Sequence, residues 1–197
     1  TNTFFDNLVN EKILAIEMGY GFRSKRFSLN SNAYLTRWEN RPLPYGLSVP
    51  DPLDPSEFIR VNVPGMDALH MGIETDFAIV LHKKLSFEGM VSIGDWKWAS
   101  KEDIVIYSDT ISFDARGVHV GDAAQSTYAA SFRYGFVKNG YLKVKYTLFD
   151  RYYSNFNPNS LSGETSGKDS WKIPAYGLMS IHAGYTVRFE KSQLRFK

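Results

Sequence analysis

Two short stretches and four histidines are where this 197-residue chain could carry chemistry. Gly163–Asp169, GETSGKD, resembles a phosphate-binding loop, in which glycines let backbone N–H groups cradle an anion. It has one residue too few between its glycines, and Asp169 stands where a metal-binding hydroxyl is needed, so it reads as an exposed loop. Gly19–Ser24, GYGFRS, is a broken dinucleotide fingerprint that lies on a strand pattern with no helix after it. His70, His82, His119 and His182 lack ligand spacing such as a pair on one helix face. His70 and His182 share a polar row with Glu74, Asp76 and Arg188, which suits a hydrogen-bond network. No nucleophile elbow or Ser/His/Asp order can be placed. The chain is therefore not expected to be an enzyme, and no cofactor or metal site is expected.

The remaining candidates take meaning only from the elements that hold them. Tyr128, Ala130, Phe132, Tyr134 and Phe136 alternate with smaller or polar residues, and Leu142, Val144, Tyr146 and Leu148 do the same. Period-2 alternation places each set on one face of a strand. A three-residue loop, Lys138-Asn139-Gly140 with Gly140 left-handed, is predicted to align Phe136 with Leu142 and Tyr134 with Val144. The pattern recurs over 12–22, 27–38, 69–79, 85–98 and 179–189, and an eighth run opens at 194–197. Short turns near 23–26, 82–84, 138–140 and 190–193 alternate with long segments at 39–67, 99–124 and 154–174. The first long segment carries six prolines and is expected to be a loop without a regular ladder. The second is expected to hold a small hairpin of its own, 104–107 with 111–113.

Bulk properties narrow the class. The net charge of +2 points to no nucleic-acid partner, and cysteine is absent, which excludes a disulfide scaffold or thiolate metal site. No run approaches the roughly 18 apolar residues of a spanning helix. Each strand nevertheless has about the 9–11 residues that cross a bilayer at a tilt. Phe22, Phe27, Phe136, Tyr141 and Phe189 flank the short turns, as an interfacial aromatic girdle would. A soluble antiparallel sandwich also alternates. Its open face would then have to carry Tyr34, Trp38, Trp96, Trp98 and Phe149, and its connections would have to alternate regularly between short and long. The expected fold is all-β: an antiparallel up-and-down transmembrane β-barrel portion, about eight strands out of phase with a complete small barrel. Residues 1–197 are read as one partial barrel domain, with plug, N-terminal strands and final strands outside it.

Ile13–Pro42, Gly117–Phe136 and Tyr176–Phe189 resemble the late barrel strands of TonB-dependent outer-membrane receptors, in particular those with a carboxypeptidase-regulatory-like N-terminal domain. The resemblance covers nearly the whole chain and rests on strand signatures. It implies a barrel of roughly 22 strands around a plug, in the outer membrane of a Gram-negative bacterium. It further implies ligand import, contact with outer-membrane lipid, coupling to the TonB complex through the N-terminal part, and room for a surface lipoprotein partner. The alternatives are a passive porin or adhesin-like barrel, and a soluble β-sandwich carbohydrate-binding module. In the barrel reading Glu17, Glu74, Asp76, Glu88, Arg133, Lys143, Lys145 and Arg188 line the lumen. Trp38, Tyr45, Trp96, Trp98, Tyr107, Tyr152, Tyr153 and Trp171, with Phe156, belong to the long loops near the outer mouth. There they serve as substrate contacts or as an outer aromatic belt.

Overall fold

The computed structural model describes residues 9–41, 47–51, 53–61, 65–106, 109–156, 161, 163–189 and 193–196. Its strands are β1 (Lys12–Arg23), β2 (Phe27–Arg41), β3 (Leu47–Asp51), β4 (Asp54–Val61), β5 (Met66–His82), β6 (Leu85–Trp98), β7 (Lys101–Ile106), β8 (Asp109–Asp114), β9 (Ala124–Val137), β10 (Gly140–Tyr153), β11 (Lys172–Ile173), β12 (Tyr176–Arg188) and β13 (Gln193–Phe196). One large sheet runs β1-β2-β5-β6-β9-β10-β12-β13, every neighbour antiparallel, with β11 added beside β10. Because each strand pairs with the next long strand in the chain, this is the up-and-down order of a barrel wall. Among the described residues no helix is long and apolar enough to cross a membrane.

The registers join the alternating rows of separate strands into two continuous faces. Met18 pairs with Ala33, Ala33 with Ile73 and Ile73 with Ile93; farther along, Phe87 pairs with Phe132, Phe132 with Val144 and Val144 with Ile181. Among the described residues nothing covers this apolar face: Met18, Phe132, Tyr134, Tyr146 and Ile181 are 79%, 52%, 49%, 49% and 63% exposed. Phe77, Phe87 and Phe132 touch one another along it, with ring centroids 5.7 and 4.8 Å apart. The buried core lies elsewhere, at the end of the sheet where the long connections gather. Met66, Ala68, Trp98, Ala115, Val118, Val120, Phe156 and Leu161 form it, with Trp38, Ile59 and Trp96 packed against it.

Three sequence expectations need correction. The turn after β9 has two residues, not three: Val137 pairs with Gly140, and Asn139 takes the left-handed backbone at φ 66°. A bulge between Gly140 and Leu142 then restores the parity, so Leu142 faces Tyr134 and Val144 faces Phe132. The same register places Tyr141 opposite Gly184 on the polar face, where Arg133 sits 4.1 Å over its ring, so Tyr141 is not a girdle residue. The proline-rich segment, finally, contains the β3–β4 hairpin, with Pro50 opposite Phe58. A two-stranded ladder consists only of edges, so a missing N–H can point away from the partner. The small hairpin expected in the second long segment is present as β7–β8.

Candidate functional site

The other face of the sheet gathers the polar candidates. Register places Glu17, Glu74, Asp76, Glu88, Arg133, Lys143, Lys145 and Arg188 on this one side, although they come from six strands. The side chain of Arg188 lies outside the described residues. Many of these charges have local partners. Lys143 Nζ is 2.5 Å from Glu88 Oε2, which also accepts from Ser131 Oγ at 3.3 Å. Asn30 Nδ2 donates to Asp76 Oδ2 at 3.0 Å, and Ser92 Oγ donates to Glu74 Oε1 at 3.3 Å. Small residues of this face, Ala78 and Ala129, leave a hollow of about 260 Å³ bordered by Asp76, Glu88 and Lys145. It is a wet, mixed-charge wall with a shallow depression. Ion pairs of such exposure are worth about 0–1 kcal/mol each, so they organise the face more than they hold it up.

Toward the long connections the polar face becomes aromatic. Trp38, His70 and Trp96 follow one another across β2, β5 and β6, with ring centroids 6.3 and 5.8 Å apart. Trp96 Nε1 donates to Tyr34 Oη at 2.8 Å, and Trp38 Nε1 donates to Glu11 at 2.7 Å. Tyr34 can lie there only because its register partner is glycine: a Cβ on Gly72 would come 2.5 Å from Tyr34 Oη and 2.7 Å from the Ile93 carbonyl. The Arg41 guanidinium stacks 4.6 Å over Trp38 and 5.3 Å over Trp98. Trp98 itself is buried in the core, edge-on to Phe156.

The structure therefore divides the aromatic candidates. Trp38, Trp96, Trp98, Tyr152 and Tyr153 stand on strand ends and not in loops: β6 ends at Trp98, where the alternation ends, and β2 and β10 run further than it, to Arg41 and Tyr153. Tyr153 is buried and stacked on His119, with centroids 4.3 Å apart and planes 2° apart. Trp171 is 67% exposed. Tyr45 and Tyr107 lie outside the described residues.

Sequence reasoning missed a polar knot that fastens the loops. His119 Nδ1 lies 2.9 Å from both oxygens of Asp169, its backbone N–H donates to the same carboxylate at 2.8 Å, and Nε2 lies 3.4 Å from Asp95. Asp95 also meets Lys97 at 2.9 Å and Arg151 at 3.3 Å. His119 has only a single bridge to Lys97 as its local structure. No spacing in the chain announces these contacts, which join residues far apart in sequence. In the neighbouring loop the Arg116 guanidinium, 2.6 Å from Asp114, holds the Asp114 carboxyl down at about 2.

A sheet with one bare apolar face, one charged face and a capped aromatic end is a piece of β-barrel wall, which is the class this geometry defines. A solved structure described as "Copper transporter OprC" shares the fold, with a TM-score of 0.59 at 13% sequence identity. The match covers 91% of this chain, which spans about a quarter of that protein's length (24%). No protein-family model and no curated protein matches the chain.

Proposed function

We propose that this chain is part of the barrel wall of an outer-membrane TonB-dependent transporter, with the apolar face toward lipid and the charged face toward the lumen. The observation that carries this reading is the bare apolar face. A water-soluble protein rarely leaves so large a contiguous hydrophobic surface open, whereas lipid is its natural solvent. The dimensions agree. On β5 the outward row from Met71 to Leu81 spans ten residues, about 33 Å along the strand at ~3.3 Å each. Tilted by about 45°, that is a band about 23 Å tall, close to the ~25 Å of outer-membrane barrels. From the Met71 rung upward the outward positions turn charged: Asp95 faces Met71 and pairs with Lys97 and Arg151, and Arg37 pairs with Glu39. That is where a headgroup boundary would fall. Among the described residues the sheet ends at β1 on one side and at the four-residue β13 on the other, and these open edges fit a wall continued by further strands, since spanning strands must close to satisfy their backbones.

Glu74, Asp76, Glu88, Lys143 and Lys145 then act as lumen groups that guide a permeating ligand, and the role is transport rather than catalysis. Dependence on TonB rests on the sequence resemblance. The cargo in the neighbour's name is not carried over, because similarity at this identity speaks for the fold alone. Nitroxide labels at Met18 and Phe132, against labels at Ser92 and Lys145, test the placement in bilayers. The first pair should be reached by oxygen and shielded from a water-soluble nickel chelate, and the second pair the reverse. Equal nickel access on both faces removes the barrel reading. Uptake by the intact receptor that survives collapse of the proton-motive force would leave the barrel but make it passive.

A further inference from the structure

The three described short turns end in two-residue tips, closed by the Ser24–Phe27 bond and the His82–Leu85 and Val137–Gly140 pairs. Five of their six tip residues are cations: Lys25 and Arg26, Lys83 and Lys84, and Lys138 beside Asn139. The hairpins β1–β2, β5–β6 and β9–β10 are consecutive in the sheet. Neighbouring tips therefore stand about 10 Å apart, two strand spacings of ~4.8 Å. Each tip is fastened to the next long strand. The Arg26 carbonyl accepts from Val80 N at 2.8 Å, the Lys84 carbonyl from Gly135 N at 2.7 Å, and the Asn139 carbonyl from Thr186 N at 3.0 Å. The backbone thus sets the five cations in one row along the rim.

These charges are not balanced within the protein. All five are exposed, and among the described residues none has an ion-pair partner and no acid stands in the three turns. Glu190 and Lys191 of the fourth turn lie outside the described residues and cancel in charge. Glu88, the first acid along β6, lies on the polar face and is engaged by Lys143. The opposite end of the sheet differs: Arg37, Lys97, Arg116, Arg151 and Lys172 each lie within 3.3 Å of a carboxylate. Just inside the tips, Phe22, Leu81 and Phe136 close the apolar face at 47%, 49% and 50% exposure. Unpaired cations directly past a lipid-facing band stand at the level of lipid phosphates, and clusters of roughly four to eight Lys/Arg there attract anionic headgroups. We propose that the short-turn rim binds the headgroups of anionic phospholipids in the leaflet it borders, through Lys25, Arg26, Lys83, Lys84 and Lys138. A soluble acidic protein would match the charge, but the row continues the apolar face without a break, which favours lipid.

This inference rests on the reading of the apolar face as lipid-facing, and one experiment separates the two. The full-length protein carries a bimane at Phe136→Cys, beside the tips, or at Leu35→Cys, toward the other edge of the band. It is reconstituted in phosphatidylcholine bilayers and quenched by doxyl-labelled phosphatidylglycerol or doxyl-labelled phosphatidylcholine. At Phe136 phosphatidylglycerol should be favoured about fivefold, the value for a headgroup meeting one cation. At Leu35, near the paired charges, the two lipids should agree within about twofold. Lys25→Gln, Arg26→Gln, Lys83→Gln, Lys84→Gln and Lys138→Gln together should bring the Phe136 ratio down to that of Leu35. Arginine at the four lysine positions should preserve it. On the unsubstituted tips, raising salt to about 1 M shortens the screening length to about 3 Å and should lower the ratio as well. Equal quenching by the two lipids at Phe136, or a preference that survives both the glutamines and the salt, overturns the proposal. Equal quenching leaves a lipid-facing wall whose rim does not select headgroups. Quenching by neither lipid at either position removes the lipid-facing reading itself.

Discussion

Ile73→Arg separates a lipid-facing sheet from a water-facing one. Ile73 is 47% exposed and lies between Ala33 of β2 and Ile93 of β6, so its surroundings are fully paired wall. It is four residues from Leu69, whose rung carries Arg37 and Lys97 at the polar boundary. On the Met71–Leu81 row it stands two residues inside the end, about 5 Å in depth at a 45° tilt, between the interface and the midplane of the band. An arginine there costs about 1–2 kcal/mol, between the interface and midplane values. In water the same exposed site would change stability by about 0.5 kcal/mol or less. The companion Ser92→Arg lies on the opposite face beside Glu74 and should be close to neutral. Equilibrium unfolding in guanidinium in the presence of lipid vesicles, followed by the fluorescence of the four tryptophans, reads both. At 1.4 kcal/mol per factor of ten, Ile73→Arg should shift the folding equilibrium about 5- to 30-fold. If it costs no more than Ser92→Arg, the assignment of faces is wrong.

Other perturbations probe the loop end. Gly72→Ala must displace the Tyr34 ring or the Ile93 carbonyl and disturb the Trp96–Tyr34 bond. It should destabilise by about 1–3 kcal/mol and alter the tryptophan emission; an unchanged melting temperature and spectrum would contradict the tight packing. The Asp114 carboxyl, held at about 2 by Arg116, has a folded value below its unfolded one. Its contribution is therefore complete above about 4 and lost as pH falls through about 2. Amide exchange across 109–117 should accelerate in that acid window, and Asp114→Asn should abolish the step. His119→Ala removes the link between Asp95 and Asp169 and the stack on Tyr153. Limited proteolysis within 154–171 should then quicken while the large sheet stays protected; equal cutting rates would show that the knot does not restrain this loop.

The alternation of Phe132, Tyr134, Val144 and Tyr146 with charged and small residues was enough to derive the two faces and the order of the strands. Period 2 is a property of each strand alone, and short turns force consecutive strands to be neighbours. It also placed all eight charged candidates on one face, since parity survives any even change of register. The exact pairing after β9 was not legible, because both a two-residue turn with a bulge and a three-residue turn satisfy the same alternation. Asn139, rather than the adjacent glycine, takes the left-handed backbone. The β3–β4 hairpin was hidden because proline lowers the apparent strand signal even where an edge tolerates it.

The aromatic candidates show the same division more sharply. Trp98, Trp96 and Trp171 look alike as residues near a strand end or in a loop, yet one is buried, one is hydrogen-bonded on the polar face and one stands open beside a cavity. The sequence by itself determined that this protein is an antiparallel sheet with an oily side and a wet side, because that information is written two residues at a time. Only the tertiary structure decided which residues close over Trp98 and which carboxylates meet His119. Those outcomes depend on segments tens of residues apart arriving at the same place, and no local period encodes where they meet.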